Sequence, residues 1–179
     1  MPSFRIYTIG YGGRTIDEIV SQLNEKGVHF VIDVRSFPSS RYQPDFSRVP
    51  LSISLRDARI GYGFMGKELG GRPDDDSCYD NNHVNYMKVR AKRFFQEGIA
   101  RLHTACERGY IVCLMCAEAK PEQCHRSGMI GEALAEEGIE VEHLLNDGRS
   151  MSQEKVMNIR TGGQEELFDD VPWRKDLSI

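Results

Sequence analysis

Val28-His29-Phe30-Val31-Ile32-Asp33-Val34 is apolar at nearly every position, the pattern of a strand buried on both faces of a parallel sheet. Upstream, Thr15-Ile16-Asp17-Glu18 has the form of a capping box: the threonine oxygen can accept from the third helical amide while the glutamate reaches back. Ile16, Ile19, Val20 and Leu23 follow at helical spacing, and Gly27 supplies a stop. Residues 4–10, with Ile6, Tyr7 and Ile9, form the strand before that helix. Strand, helix and strand make a βαβ unit, whose crossover is right-handed.

Residues 35–49 are a polar loop with Pro38 and Pro44, a short helix is expected over about 50–60 with Gly61 as its stop, and residues 66–82 are the least regular stretch. A long helix is expected over about 84–108, with Phe95, Ile99, Leu102 and Cys106 on one stripe, Gly98 as a bend and Gly109 as its end. Residues 110–116 are the most apolar strand and belong near the sheet centre. A helix over about 125–137 buries Ile130, Ala133 and Leu134 and stops at Gly138, and residues 139–145 form a last strand. Nearly continuous apolar strands alternating with helices predict one α/β domain with a doubly wound, mostly parallel sheet, Rossmann-like or flavodoxin-like in its layering, and helices on both faces. That domain is expected over residues 1–150. Residues 151–179, acidic at the end and carrying Trp173, form an extension that is docked on it or partly flexible.

With 40% apolar and 28% charged residues in 179, the composition is ordinarily globular. The longest apolar run, residues 110–117, is far short of the roughly 18 residues of a spanning helix, so no membrane partner is expected. The first residues carry no basic-then-apolar leader, and the cytoplasm is the expected compartment. Five cysteines, three of them clustered at Cys113, Cys116 and Cys124, do not form a secreted disulfide framework. Net charge is −4, yet residues 35–72 hold seven Arg or Lys against three Asp or Glu, which suggests an anionic ligand at one place. A solvated arginine-rich loop is the plainer explanation of the same count.

Ligands of doubly wound sheets bind at the carboxyl ends of the strands. Here those ends are Gly10-Tyr11-Gly12-Gly13, Asp33-Val34-Arg35-Ser36 and Cys116-Ala117-Glu118. The first lacks the spacing of a dinucleotide fingerprint. Cys113-x-x-Cys116 has zinc spacing, but residues three apart on a strand face opposite ways, which leaves Cys113 as a small core residue. Cys116 opens a loop that runs through Cys124-His125-Arg126 into a helix, where backbone amides attract anions and lower a thiol's pKa. An arginine in the first turn adds a bidentate anion contact, and a histidine beside a thiol can serve as base or counter-charge. A buried Cys124 with His125 in solvent is the structural alternative.

Four stretches together resemble the bacterial and archaeal family known as domain of unknown function 488. They are Thr8-Ile9-Gly10-Tyr11, Asp33-Val34-Arg35-Ser36-x-Pro38-x-Ser40-Arg41, Leu69-Gly70-Gly71-Arg72, and Cys116-x-Glu118-x-x-Pro121-x-x-Cys124-His125-Arg126. The chain departs from the family pattern at Tyr11-Gly12, where a histidine and a small hydroxyl residue follow the glycine. The resemblance implies an α/β fold and a common site, and supplies no reaction.

Three functions follow from these residues. The first is a thiol-dependent enzyme, a cysteine-dependent hydrolase or transferase, acting on a small phosphate-bearing anion, a nucleotide or nucleic acid. Cys116 or Cys124 would be the nucleophile, His125 the acid or base, and Glu118 and Asp33 orienting groups, while Arg35, Arg41, Gly71, Arg72 and Arg126 hold the anion. The second is a non-catalytic nucleic-acid or anion-binding module with structural cysteines. The third is a metal site at Cys116, Cys124 and His125. No cofactor is required by the first two, and oligomeric state is not readable from the sequence.

Overall fold

The computed structural model describes residues 3–162. In chain order these form β1 (Arg5–Gly10), α1 (Ile16–Glu25), β2 (Phe30–Asp33), α2 (Arg48–Asp57), β3 (Gly61–Phe64), α3 (Gly66–Leu69), a hairpin of β4 (Tyr79–Asp80) and β5 (His83–Val84), α4 (Tyr86–Arg90), α5 (Arg93–Glu107) and β6 (Val112–Cys116). A π-helical segment, Arg126–Gly131, then runs into α6 (Glu132–Glu136), followed by β7 (Glu140–Leu144), β8 (Ser150–Ser152) and α7 (Gln153–Arg160). Six strands form one sheet in the order β3-β2-β6-β1-β7-β8. All pairings are parallel except that of β8 with β7.

β6 sits between β1 and β2 and is buried along its whole length. Its period-two alternation feeds both cores. Cys113 and Met115 join Ile19 and Leu23 of α1 and Leu51 and Leu55 of α2 on one face. Val112, Leu114 and Cys116 join Phe95, Ile99 and Leu102 of α5, with Met129, Ile130 and Leu134, on the other. The fold is thus α/β, doubly wound, with helices on both faces. The expected capping box closes α1: Glu18 N donates to Thr15 Oγ1 at 3.2 Å and Thr15 N to Glu18 Oε2 at 2.9 Å.

Three expectations need correction. Gly61 starts a strand rather than ending a helix. Alternate glycines in Gly61-Tyr62-Gly63-Phe64 hide the strand, and their purpose is space: a Cβ on Gly61 would lie 2.3 Å from Phe30 Cδ1 on β2. The long helix over 84–108 is broken before Arg93. In one continuous helix Val89 and Phe95, six residues apart, would be turned by roughly 240° from one another; the break at extended Lys92 lets both reach the core. Gly98 does not bend α5 but admits α3, since a Cβ there would meet Leu69 Cδ2 at 2.8 Å.

β8 and α7 continue the unit past residue 145, and Gln153 of α7 is buried against β7 and the π segment. Residues 163–179, with Trp173, lie outside the described residues. Among those described, no helix is long and apolar enough to cross a membrane.

Candidate functional site

The carboxyl ends of β1, β2 and β6 meet as strand order requires, because β6 pairs with both others. Tyr11 N donates to Cys116 O and Val34 N to Met115 O, each at 3.1 Å. The loop after β6 then folds back across β1, where Gly12 N donates to Ala117 O at 3.0 Å. Only glycine fits beneath it at position 10: a Cβ there would stand 1.9 Å from Glu118 O. A cavity of about 430 Å³ opens at this edge, walled by Arg35, Phe37, Arg72, Cys116, Cys124 and His125 among others.

Cys116 and Cys124 are free thiols with sulfurs 2.8 Å apart. Arg126, fully buried, lies against both: its Nε donates to Cys116 Sγ at 3.0 Å and to Cys124 Sγ at 3.4 Å. The Arg126 amide, in the first helical turn, also points at Cys124 Sγ, 3.5 Å away. At that spacing one thiol can donate to the other sulfur. Donation from Cys116 holds Cys124 well below the ordinary thiol range, helped by His125 and Arg126 against the opposing effect of burial. Cys116 is pushed well above that range, first by burial and then by its role as donor to Cys124. His125 places Nε2 2.9 Å from Val34 O, so that nitrogen carries a proton and Nδ1 faces Cys124 Sγ at 3.6 Å.

Arg126 also anchors a polar chain that sequence reasoning missed. Its Nη1 donates to Thr8 Oγ1 at 2.9 Å, and Nη2 donates to Glu118 O at 2.7 Å. Thr8 Oγ1 in turn lies 2.6 Å from His143 Nδ1, and His143 Nε2 lies 2.8 Å from Gln153 Oε1. With Gln153 Oε1 accepting from Nε2, Nδ1 is left to accept the threonine proton. Desolvation lowers the His143 pKa to about 4, so the ring is neutral. The available signal was a threonine beside Ile9 and a histidine beside Leu144, polar residues within strands at positions that turn out buried.

The second cluster is built on β2. Asp33, wholly buried, accepts from Arg35 Nε at 2.8 Å and Nη2 at 2.7 Å, a fork-to-fork pair, and from Tyr62 Oη at 2.7 Å. Burial and that donated bond push the Tyr62 phenol well up. Arg35 Nη1 donates to Tyr11 Oη at 3.2 Å, and Tyr11 stacks on Phe46 with centroids 4.3 Å apart. Gly71 packs close to the His125 ring, since a Cβ there would lie 3.1 Å from its Cγ. The Arg72 amide donates to Ser36 Oγ at 2.9 Å.

Cys116, Cys124, His125, Arg35, Gly71 and Arg72 thus come together at the cavity, with Asp33 directly behind Arg35. The anticipated cage of four arginines does not form. Arg126 turns inward because buried sulfur, threonine and carbonyl acceptors use its N–H groups, leaving it no face to an external anion. Arg41 is exposed and does not line the cavity. Glu118 contributes its carbonyl, while its carboxylate accepts from Lys120 N at 3.1 Å.

Cys113 faces the α1–α2 core and not Cys116. A metal between Cys116, Cys124 and His125 would have to share space with the Arg126 guanidinium, already in contact with both sulfurs. Among the described residues no three His, Cys, Asp or Glu are arranged to hold one. A larger cleft, about 860 Å³ between α6, β7, β8 and α7, lies elsewhere and is lined by no cysteine or histidine among the described residues.

Comparison with curated proteins and with solved structures gave no match. A family model, described as domain of unknown function DUF488, matches residues 15–134. That span takes in Asp33, Arg35, Gly71, Arg72 and the whole loop from Cys116 to Arg126, while Thr8 and Gly10 precede it. A match over more than half the chain, carrying these site residues, makes the chain a member of the DUF488 family.

Proposed function

We propose that the chain is a thiol-dependent enzyme, a hydrolase or transferase, that acts on an anionic substrate in the cavity at the Cys116–Arg126 loop. The observation that carries this reading is the buried guanidinium of Arg126 against two sulfurs 2.8 Å apart in the wall of an open cavity. A guanidinium with no carboxylate partner among the described residues favours a negative sulfur, and a thiolate is the nucleophilic form. Cys124 is the nucleophile, because Cys116, His125 and Arg126 all favour its charged state. His125 is placed to take or return a proton through Nδ1. Arg35, held rigid by Asp33, and Arg72 supply positive charge to the substrate, and a phosphate-bearing nucleotide or nucleic acid fits that charge. The cytoplasm, which keeps thiols reduced, suits such a site.

The test is peptide-resolved iodoacetamide alkylation near neutral pH, with and without a nucleoside monophosphate. Cys124 is expected to react first of the five cysteines, and the nucleotide to slow it. Arg72→Ala should weaken that protection several-fold without changing the unprotected rate. An inert Cys124 would overturn the enzyme reading.

A second reading, a nucleic-acid-binding module, is favoured by one observation. Phe37 is 69% exposed and Tyr42 93% exposed, with Arg41 beside Tyr42. Exposed aromatics among arginines suit base stacking along a single strand. Salt-steep binding of single-stranded nucleic acid with an unreactive Cys124 would select it.

A further inference from the structure

We propose that Cys124 and Cys116 act as nucleophile and resolver in thiol–disulfide exchange with a small, negatively charged disulfide. The inference rests on the reading of Cys124 as the reactive thiol at the cavity, and adds a chemistry that a single nucleophile cannot perform. Four observations carry it. The two sulfurs are 2.8 Å apart and both cysteines are free, so a bond between them needs only a small approach toward the S–S length of about 2.04 Å. Both thiols line one cavity, so an attacking and a resolving sulfur reach the same bound molecule. Arg72 lines that cavity too, beside Arg35, whose charge is paired with Asp33, so a negative arm of the substrate meets Arg72. The other cysteines are excluded: Cys113 belongs to the opposite face, and neither Cys78 nor Cys106 lines the cavity.

The Cys124 thiolate attacks one sulfur of an external disulfide, RS–SR′; the S–S bond breaks and R′S⁻ leaves. Cys116 gives up its proton and attacks Cys124 Sγ in the mixed disulfide, forming the Cys116–Cys124 bond and releasing RS⁻. The proton from Cys116 goes to one leaving thiolate, with His125 Nδ1 near Cys124 as its carrier. Two electrons pass from the cysteine pair to the substrate, which ends as one thiol and one thiolate.

Arg126 sets the resting state. In the dithiol form its buried charge faces a thiolate; in the disulfide form both sulfurs are neutral, and a buried cation loses its partner. The reduced pair is therefore the favoured one, and the disulfide, once formed, is readily reduced by small thiols.

The experiment treats the reduced full-length chain with excess oxidised glutathione, quenches with acid, blocks free thiols and digests after glutamate. Cleavage after Glu118 and Glu122 separates the two cysteines, so a bond between them appears as linked peptides. The wild type should yield the Cys116–Cys124 link and two equivalents of reduced glutathione, and added reduced glutathione should reverse it. Cys116→Ser should stall as a glutathione adduct on Cys124 with one equivalent released. Cys113→Ala should behave as wild type. A wild-type chain that alkylates at Cys124 but accumulates a stable Cys124 adduct overturns the resolver role and leaves the thiol-enzyme reading standing. A Cys124 inert to both iodoacetamide and glutathione overturns both. Because the wild-type result alone decides, a poorly folding variant does not blunt the test.

Discussion

A guanidinium removed from water costs several kcal/mol unless its N–H groups find acceptors. Arg126 finds Cys116 Sγ, Cys124 Sγ, Thr8 Oγ1 and the Glu118 carbonyl. Thr8 Oγ1 accepts from Arg126 and gives its own proton to a neutral His143, so the cation that touches the thiol pair is linked through one hydroxyl to an uncharged imidazole on a neighbouring strand. The consequence is a defined pH window. Desolvation lowers the folded pKa of His143 from 6.5 to about 4. Above about pH 6.5 both folded and unfolded states hold it neutral and nothing is lost. As pH falls from there to about 4, the unfolded chain takes a proton that the folded protein refuses, and stability drops by about 3 kcal/mol before levelling off. His143→Gln keeps an acceptor and a donor but cannot titrate. Its stability relative to wild type should therefore improve by about that amount between about pH 7 and pH 4, measured by urea unfolding at each pH. Parallel curves for the two proteins would show that His143 is not held neutral.

Elements were legible wherever apolar period and punctuation agreed. β1, α1, β2, β6 and β7 stand close to where their apolar runs and flanking glycines put them. β3 was hidden because Gly61 and Gly63 yield their volume to Phe30 and Ile32 of β2, information that resides in the partner strand. The break between α4 and α5 was hidden because each half keeps helical spacing, and only the need of Val89 and Phe95 to share a core forces it. Gly98 shows the same conflict of local and tertiary preference. In an isolated helix alanine would be favoured over glycine by about 1 kcal/mol. Here a Cβ would press within 2.8 Å of Leu69 Cδ2 and 3.0 Å of Glu68 Cβ. Gly98→Ala should therefore destabilise the protein by about 1–2 kcal/mol in urea unfolding. A gain in stability would mean that α3 does not rest on α5 at this point.

At the scale of the whole molecule, strand order does the gathering. β6 lies between β1 and β2, so Gly10, Asp33 and Cys116 reach one edge although 106 positions separate the first from the last. That much followed from alternating strands and helices and the rule for carboxyl ends. The inward turn of Arg126 did not follow, because an arginine in a first helical turn can face solvent or core equally well by sequence. Its direction depends on Thr8 from β1 and His143 from β7. A chain of net charge −4 thus keeps a cation buried beneath its thiols and two more, Arg35 and Arg72, in the cavity wall.

The claim on which the site depends is that Arg126 and Cys116 hold Cys124 as a thiolate. Thiolate ultraviolet absorbance, followed against pH in the folded protein, tests it most directly. One thiolate should appear below the ordinary thiol value of about 8.5, vanish in Cys124→Ser, and shift to higher pH in Cys116→Ser, where the thiol donor is replaced by a weaker acid. Cys116, Cys78, Cys106 and Cys113, all raised by burial, should add nothing in that range. A wild-type curve with no thiolate until above about 8.5, or one that Cys124→Ser leaves unchanged, would contradict the account.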